Sequence, residues 1–266
     1  MTRKKWLILA TALVVAGGML FGGVMMAQNW DFLKLQTTTY ETNTYHIQDL
    51  YANILIDIDT TNLTILPTDE ETTTVVCFEQ SKIQHIVEVA DHTLSIREMD
   101  TRAWYEHISL SFQSPKVTIY MPQNQYAAVS VKASTADIQI EKLSANYLDL
   151  TLSTGDMQLM DMQCKNIKTT VSTGDIHLKN VIVAQELTMQ SGTGDIFLEG
   201  CDAERLKIKT TTGDVVGWLL SPKVFLAQTN TGDVKIPQTT EGGLCEITTQ
   251  TGDIDVDVQL HHVTIP

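Results

Sequence analysis

The chain is poor in the residues that usually announce chemistry. Its four cysteines (Cys77, Cys164, Cys201, Cys245) form no CxxC pair and no disulfide-like spacing. Its seven histidines (His46, His85, His92, His107, His177, His261, His262) are scattered, with no HExxH and no Cys/His cluster. There is no GxSxG elbow and no phosphate-cradling loop. The expectation is a non-enzyme, with no catalytic residue and no cofactor. Basic residues are also few. Eighteen Lys and Arg face 32 Asp and Glu, a formal net charge of −14. Three of the eighteen are Arg3, Lys4 and Lys5, so the rest of the chain is more acidic still. Such a surface repels phosphate backbones, which excludes nucleic acid as a natural partner. It also avoids bare anionic lipid headgroups.

One long apolar run is present. Residues 6–27 carry no charge and follow the basic triplet directly. That length spans a hydrocarbon core of about 30 Å as a helix. Basic residues on the short leading side keep it in the cytoplasm and send the rest outward. The expected layout is a cytoplasmic tail (1–5), a transmembrane signal anchor (6–27), a linker (28–46) and an extracytoplasmic domain (47–266). The rival is a cleaved signal peptide. Its apolar region is usually about 7–15 residues and ends in a small-x-small site, which Met25-Met26-Ala27 matches poorly.

The rest of the chain is organised by a recurring corner, Thr-Gly-Asp. It occurs at Thr154-Gly155-Asp156, Thr173-Gly174-Asp175, Thr193-Gly194-Asp195, Thr212-Gly213-Asp214, Thr231-Gly232-Asp233 and Thr251-Gly252-Asp253. A degenerate copy precedes them at Thr135-Ala136-Asp137. The Asp recurs at a nearly constant interval of roughly 20 residues, and a fixed period of that size means stacked units that share one core. Counted from each Asp, positions −8, −6 and −4 are mostly apolar, and position −2 is always Thr. These share one face of a strand. After the corner the apolar positions become +1 and +3, so the chain must bend at Gly-Asp for both arms to face one core. Further inward sites fall at +6 (Leu143, Met162, Val181, Cys201, Leu220) and +8 (Ala145, Cys164, Val183, Ala203). The predicted fold is all-β, a parallel β-solenoid or β-helix of roughly 19–20 residues per coil. Irregular coils occupy 47–128 and regular repeats 129–260.

The irregular part opens with a decayed corner, Thr60-Thr61-Asn62, with Asn in the Asp place. The stretch from Asn62 to Asp137 is close to four periods long. It reads as irregular coils, or as antiparallel hairpins continuing the core. Strand signals lie at 75–78, 86–89, 94–96, 108–112 and 116–121. Trp104 and Tyr105 form an aromatic pair of the kind that stacks on a sugar, though such pairs more often cap a core. At the far end, Asp255 and Asp257 alternate with Val256 and Val258, which discourages edge-to-edge growth if that strand is last.

The corner residues admit two readings. Gly suits a backbone of positive φ at the bend. Asp156, Asp175, Asp195, Asp214, Asp233 and Asp253 would stand about 5 Å apart, so their repulsion must be offset. One offset is hydrogen bonding from turn amides. The other is a Ca²⁺ ladder across adjacent coils. Turn capping is the reading preferred here, with the metal role held as the alternative.

The Ser/Thr-Thr-Gly-Asp-Ile-x-Leu corners from Ser153 to Leu198, the Val117-Thr118-Ile119-Tyr120-Met121-Pro122 strand before them and the leading anchor resemble the bacterial "putative adhesin" family of β-strand-repeat proteins. The resemblance covers roughly residues 47–260. It implies a solenoid on the outer face of a bacterial membrane and no established chemistry. The expected function is a non-catalytic envelope scaffold whose partner is wall polymer, a surface protein or a membrane protein. The alternative is envelope-stress sensing through a membrane partner, because the tail at 1–5 is too short to signal. A polysaccharide-active enzyme is a third class, disfavoured because no Asp or Glu pair stands apart from the repeat.

Overall fold

The computed structural model describes residues 3–27, 29–30, 38–103 and 113–259, which fall into two compact units. Trp104, Tyr105, His107, His261, His262 and the strand signal at 108–112 lie outside the described residues. The first unit contains helix α1 (Arg3–Ala27). Its stretch Lys4–Ala27 has a mean hydropathy of 2.2 and is long and apolar enough to cross a membrane. A signal sequence has the same properties.

The second unit is all-β. Its first part supplies β1 (Tyr40–Ile47), β2 (Asn53–Ile58), β3 (Asn62–Thr68), β4 (Thr73–Gln80), β5 (Ile83–Ala90), β6 (Thr93–Asp100) and β7 (Lys116–Pro122). Long and short strands then alternate as β8 (Gln125–Thr135), β9 (Ile138–Glu141), β10 (Ser144–Thr154), β11 (Met157–Met160), β12 (Gln163–Thr173) and β13 (Ile176–Lys179). Next come β14 (Ile182–Thr193), β15 (Ile196–Thr212), β16 (Val215–Leu219), β17 (Lys223–Thr231), β18 (Val234–Lys235), β19 (Gly243–Thr251) and β20 (Ile254–Val258).

In the middle, each strand pairs in parallel with its counterpart in the next coil. Val129 meets Leu148, which meets Ile167, and Ile138 meets Met157, which meets Ile176. Between β12 and β14 the register shifts by a single position, because Cys164 pairs Val183 while Asn166 pairs Glu186. The extra residue is a bulge at Ala184–Gln185, which leaves the inward columns on both sides in phase. Positions −8, −6, −4, +1 and +3 are buried through these coils, and all four cysteines are buried and free.

The bend itself differs from the sequence expectation. Every Thr at −2 is exposed, so that column is not part of the inward face. The buried set in the middle glycine corners runs −8, −6, −4, +1 and +3, and the four residues from −3 to the Asp, such as Ser153 to Asp156, are not fully buried. The phase changes across that stretch, which includes Gly-Asp. Hydroxyls at −4, not −2, link the coils: those of Thr210, Thr249 and Thr229 donate to the carbonyls of Gly194, Gly213 and Gly252 at 3.4, 3.2 and 3.0 Å. A second corner sits at +5, where Lys142, Asp161, Asn180 and Gly200 all take positive φ between 51° and 66°. In the following coil Leu219, not Leu220, takes the inward place opposite Cys201.

Further expectations are corrected. Residues 40–46, assigned to a linker, lie in β1, paired antiparallel with β4. Of the two readings for the span from Asn62 to Asp137, the structure has the antiparallel hairpins and not a run of irregular coils. Instead β2 and β3 lie directly against β8 and β9, and the intervening chain makes an antiparallel excursion through β4, β5 and β6. That excursion returns so that β6 and β7 pair in parallel with the other sides of β2 and β3. At the far end the last two coils are transposed: β19 pairs with both β15 and β17, and β20 with both β16 and β18. Asp255 and Asp257 therefore sit on an interior strand. The outer members are β17 and the very short β18, followed by Pro237, an interrupted edge.

Candidate functional site

The corner aspartates form one array. The Oδ1 of Asn62 accepts the amide of Asp137 at 2.9 Å, and the Oδ1 of Asp137 accepts the amide of Asp156 at 3.1 Å. The pattern continues to Asp175, Asp195 and Asp214 at 2.9, 2.8 and 2.8 Å. It then follows space rather than chain order, from Asp214 to Asp253 at 2.7 Å and from Asp253 to Asp233 at 2.8 Å. Asn62 thus opens the column, in the Asp place its sequence marked. The capped amide belongs to the neighbouring coil, not to the residue's own turn. A hydrogen bond to a charged acceptor contributes about 1.5–3 kcal/mol. That is enough to offset a repulsion of about 1 kcal/mol between exposed carboxylates roughly 4–5 Å apart.

The corner glycines explain themselves in the same geometry. A Cβ on Gly155, Gly174, Gly194, Gly213, Gly252 or Gly232 would stand 1.9–2.2 Å from the corner carbonyl oxygen of the adjacent coil, and their φ lies between +127° and +145°. No other residue fits. Ala136 is tolerated because the coil beneath it is the decayed one, and its φ is not positive.

Among the described residues no corner Asp joins a three-ligand group. The group that exists is elsewhere, at the antiparallel end: Cys77, Glu79 and His85, all buried, whose ligand atoms lie within 4.8 Å of one another. Strand alternation puts Cys77 and Glu79 on one face of β4. The short turn at Ser81–Lys82 brings β5 back and adds His85. Glu79 Oε2 accepts from the His85 ring Nδ1 at 2.6 Å and from the His85 amide at 2.7 Å, while Oε1 accepts from Asn43 Nδ2 at 2.7 Å. Burial alone would push the Glu79 carboxyl up, but these bonds and the His85 charge outweigh it and hold it below the usual carboxylate value. Burial, then the Glu79 charge, pushes the Cys77 thiol up to about 12.

His85 lies opposite Glu98 in the β5–β6 pairing. Its Nε2 is buried without a hydrogen-bond partner, and Glu98 Oε2 stands 3.9 Å away. That oxygen is already the acceptor for the Asp59 amide at 3.1 Å and the Thr61 hydroxyl at 3.0 Å. The network therefore joins β1, β4, β5 and β6 to the turn between β2 and β3. Sequence reading missed it, having found no Cys/His cluster in the chain. The available signal was the Cys77-x-Glu79 alternation followed by a polar turn and a His, all in a strand context.

A second feature lies on the outward face of the short strands. His177 and Phe197 stack with ring centroids 4.4 Å apart, flanked by Gln158, Met160, Lys179 and Glu199 in a shallow depression.

The model of the family described as Toastrack DUF4097 matches residues 51–263. No curated protein matches the chain. Similar solved structures include a "putative cell adhesion protein" from Clostridium sporogenes, 11% identical, covering 84% of this chain and 100% of that one, with a TM-score of 0.43. A "putative adhesin" from Bacteroides fragilis is 16% identical, covering 83% and 97%, with a TM-score of 0.44. A "putative lipid binding protein" from Parabacteroides distasonis is 13% identical, covering 82% and 97%, with a TM-score of 0.38.

Proposed function

The chain belongs to the Toastrack DUF4097 family, and from that premise we propose that it is a membrane-held, extracytoplasmic β-repeat scaffold without catalytic activity. Its outer face binds a polymer or protein of the cell envelope. Helix α1 is the anchor in this reading, and its basic leading residues keep the short tail in the cytoplasm. The observation that carries the proposal is the register of the middle coils. Side chains at equivalent positions form straight outward rows on β9, β11, β13 and β15, so contacts repeat at the strand spacing of about 4.8 Å. A repeated, rigid face suits a repeated ligand, because each added contact is held at high effective concentration. The stacked His177–Phe197 pair gives that face an aromatic platform.

The test is binding of the purified full chain, held in detergent, to wall fragments, glycan arrays and whole cells. The double variant His177→Ala, Phe197→Ala is the comparison. Retention of the chain on one of these, reduced at least tenfold in the variant, is the expected result. No retention on any, with an altered envelope-stress response on deletion, would replace the scaffold reading with a regulatory one. A shortened or desaturated glycan would make it an enzyme.

A further inference from the structure

We propose that Cys77, Glu79 and His85 bind a divalent transition metal ion of the zinc class at the antiparallel end of the stack. A thiolate, an imidazole and a carboxylate are the ligand types such ions select. Three protein ligands meet here in a buried place, within 4.8 Å of one another. Zinc–ligand distances of about 2.0–2.3 Å put tetrahedral ligand atoms roughly 3.3–3.8 Å apart, so Glu79 Oε2 and His85 Nδ1, 2.6 Å apart, open and the wider separations close, each by about 1 Å.

The unpartnered Nε2 supplies an independent reason. The Nε2 is buried without a hydrogen-bond partner, 3.9 Å from the Glu98 Oε2. A metal ion on Nδ1 leaves the ring proton on Nε2, pointing toward Glu98, the arrangement in which a ligating imidazole donates its other N–H to an outer carboxylate. Asn43, bonded to Glu79 at 2.7 Å, orients the carboxylate from outside in the same way. Binding releases the Cys77 thiol proton to solvent, and the ion's own charge is what makes that release favourable in a buried place. The other three cysteines have no such company among the described residues.

The site has a structural consequence. Its ligands come from β4 and β5, and its outer carboxylate holds the turn before β3 through Asp59 and Thr61. An ion here locks the antiparallel excursion onto the first coil.

The experiment uses the full chain in detergent, stripped with chelator and titrated with Co²⁺, then with Zn²⁺ in competition. A single equivalent with thiolate-to-cobalt charge-transfer absorption is expected. Cys77→Ser abolishes that absorption and weakens Zn²⁺ binding at least a hundredfold. His85→Gln does the same to affinity, and Asn43→Ala weakens it by about tenfold. Cys201→Ser leaves both unchanged. Circular dichroism on each variant separates lost ligands from lost fold, with Asn43→Ala as the mild variant if the ligand variants unfold. The proposal is overturned if the wild type shows no cobalt–thiolate absorption, which would mean a protonated His85 held between Glu79 and Glu98. It is equally overturned if the absorption survives Cys77→Ser.

Discussion

The coils that begin with β10, β12 and β14 each lie against the coils that precede and follow them in the chain; on either side of them that order is broken. The coil made by β2 and β3 is enclosed between β8–β9 and the later-formed β6–β7. The coil made by β19 and β20 is enclosed between β15–β16 and the earlier β17–β18. At the far end the β19–β20 coil is tucked inward by one layer, and the outer layer, β17–β18, is tethered on both sides. At the near end β6–β7 is itself covered by β5 and β4, and β1 pairs with β4 alone. A terminal coil left outermost would fray, since one face of its ladder and core lacks a neighbour. Transposition gives it two neighbours and leaves the exposure to β17–β18, where Phe225 and Ala227 are only partly covered. Buried Lys223 secures that layer with bonds to Asp202 at 2.5 Å and Ser221 at 2.6 Å.

The largest expected effect contrasts two glycines. Gly174→Val puts side-chain atoms where even a Cβ meets the Gly155 carbonyl oxygen at 1.9 Å, in the middle of the stack. Loss of the cooperative fold, a destabilisation above about 4 kcal/mol, is expected in urea unfolding. Gly242→Ala creates the same 1.9 Å conflict with Pro222, but at the transposed end. There only β17 to β20 should lose amide-exchange protection while the middle strands keep theirs. If both variants unfold as one unit, the ends are not separate from the middle.

Core truncation sharpens the contrast. Leu150→Ala, in a fully buried site, should cost about 2–5 kcal/mol. Phe225→Ala, on the outer layer, should cost markedly less despite the larger side chain. Equal costs would mean that β17 is covered in solution.

The Asp column separates capping from cation binding. Asp175→Ala removes the acceptor for the Asp195 amide and should cost about 1–3 kcal/mol. Asp175→Asn keeps an acceptor, sheds one charge, and should cost less than half as much. Melting with chelator and with millimolar Ca²⁺ completes the test. A midpoint raised by Ca²⁺, and lost in Asp175→Asn, would make the column a metal ladder.

The smallest effect is alkaline. Burial pushes the thiol of Cys164 from 9.0 to about 11 and that of Cys245 to about 12. Both values are raised, so the stability from burying the neutral thiol is complete below the ordinary thiol value of 9.0. It is lost as pH rises from there through the folded-state value. Unfolding midpoints should decline above that pH, less steeply in Cys245→Ala. Cys245 lies in the transposed coil, so local opening should let it react with iodoacetamide before Cys164 does, despite its higher pKa. The reverse order would show that the end is as firm as the middle.

Much of the middle was legible in the residues. A side chain repeating every second position can only be one face of a strand, and a Gly fixed beside an Asp can only be a turn of unusual φ. The stacked column of corner Asp and the buried cysteines follow from local rules of that kind. The −2 Thr column misled because Thr is equally at home on either face of a strand, so its constancy carried no direction. The second corner was hidden because Lys142, Asp161, Asn180 and Gly200 share a conformation and not a residue type.

What only the tertiary structure decided is which coil touches which. Every corner has the same shape, so the β15–β16 coil presents a surface that either of the last two coils fits. The choice rests on Gly242 and Gly243 passing between the Pro222 and Glu204 carbonyls, a contact between segments well separated along the chain. The Cys77–Glu79–His85 cluster is likewise made by a strand reversal and completed by β1 and β6 from either side. Period and polarity within one strand are local, and the chain carries them openly. Partner choice among near-identical ladders is a long-range competition, settled only when the ends are packed.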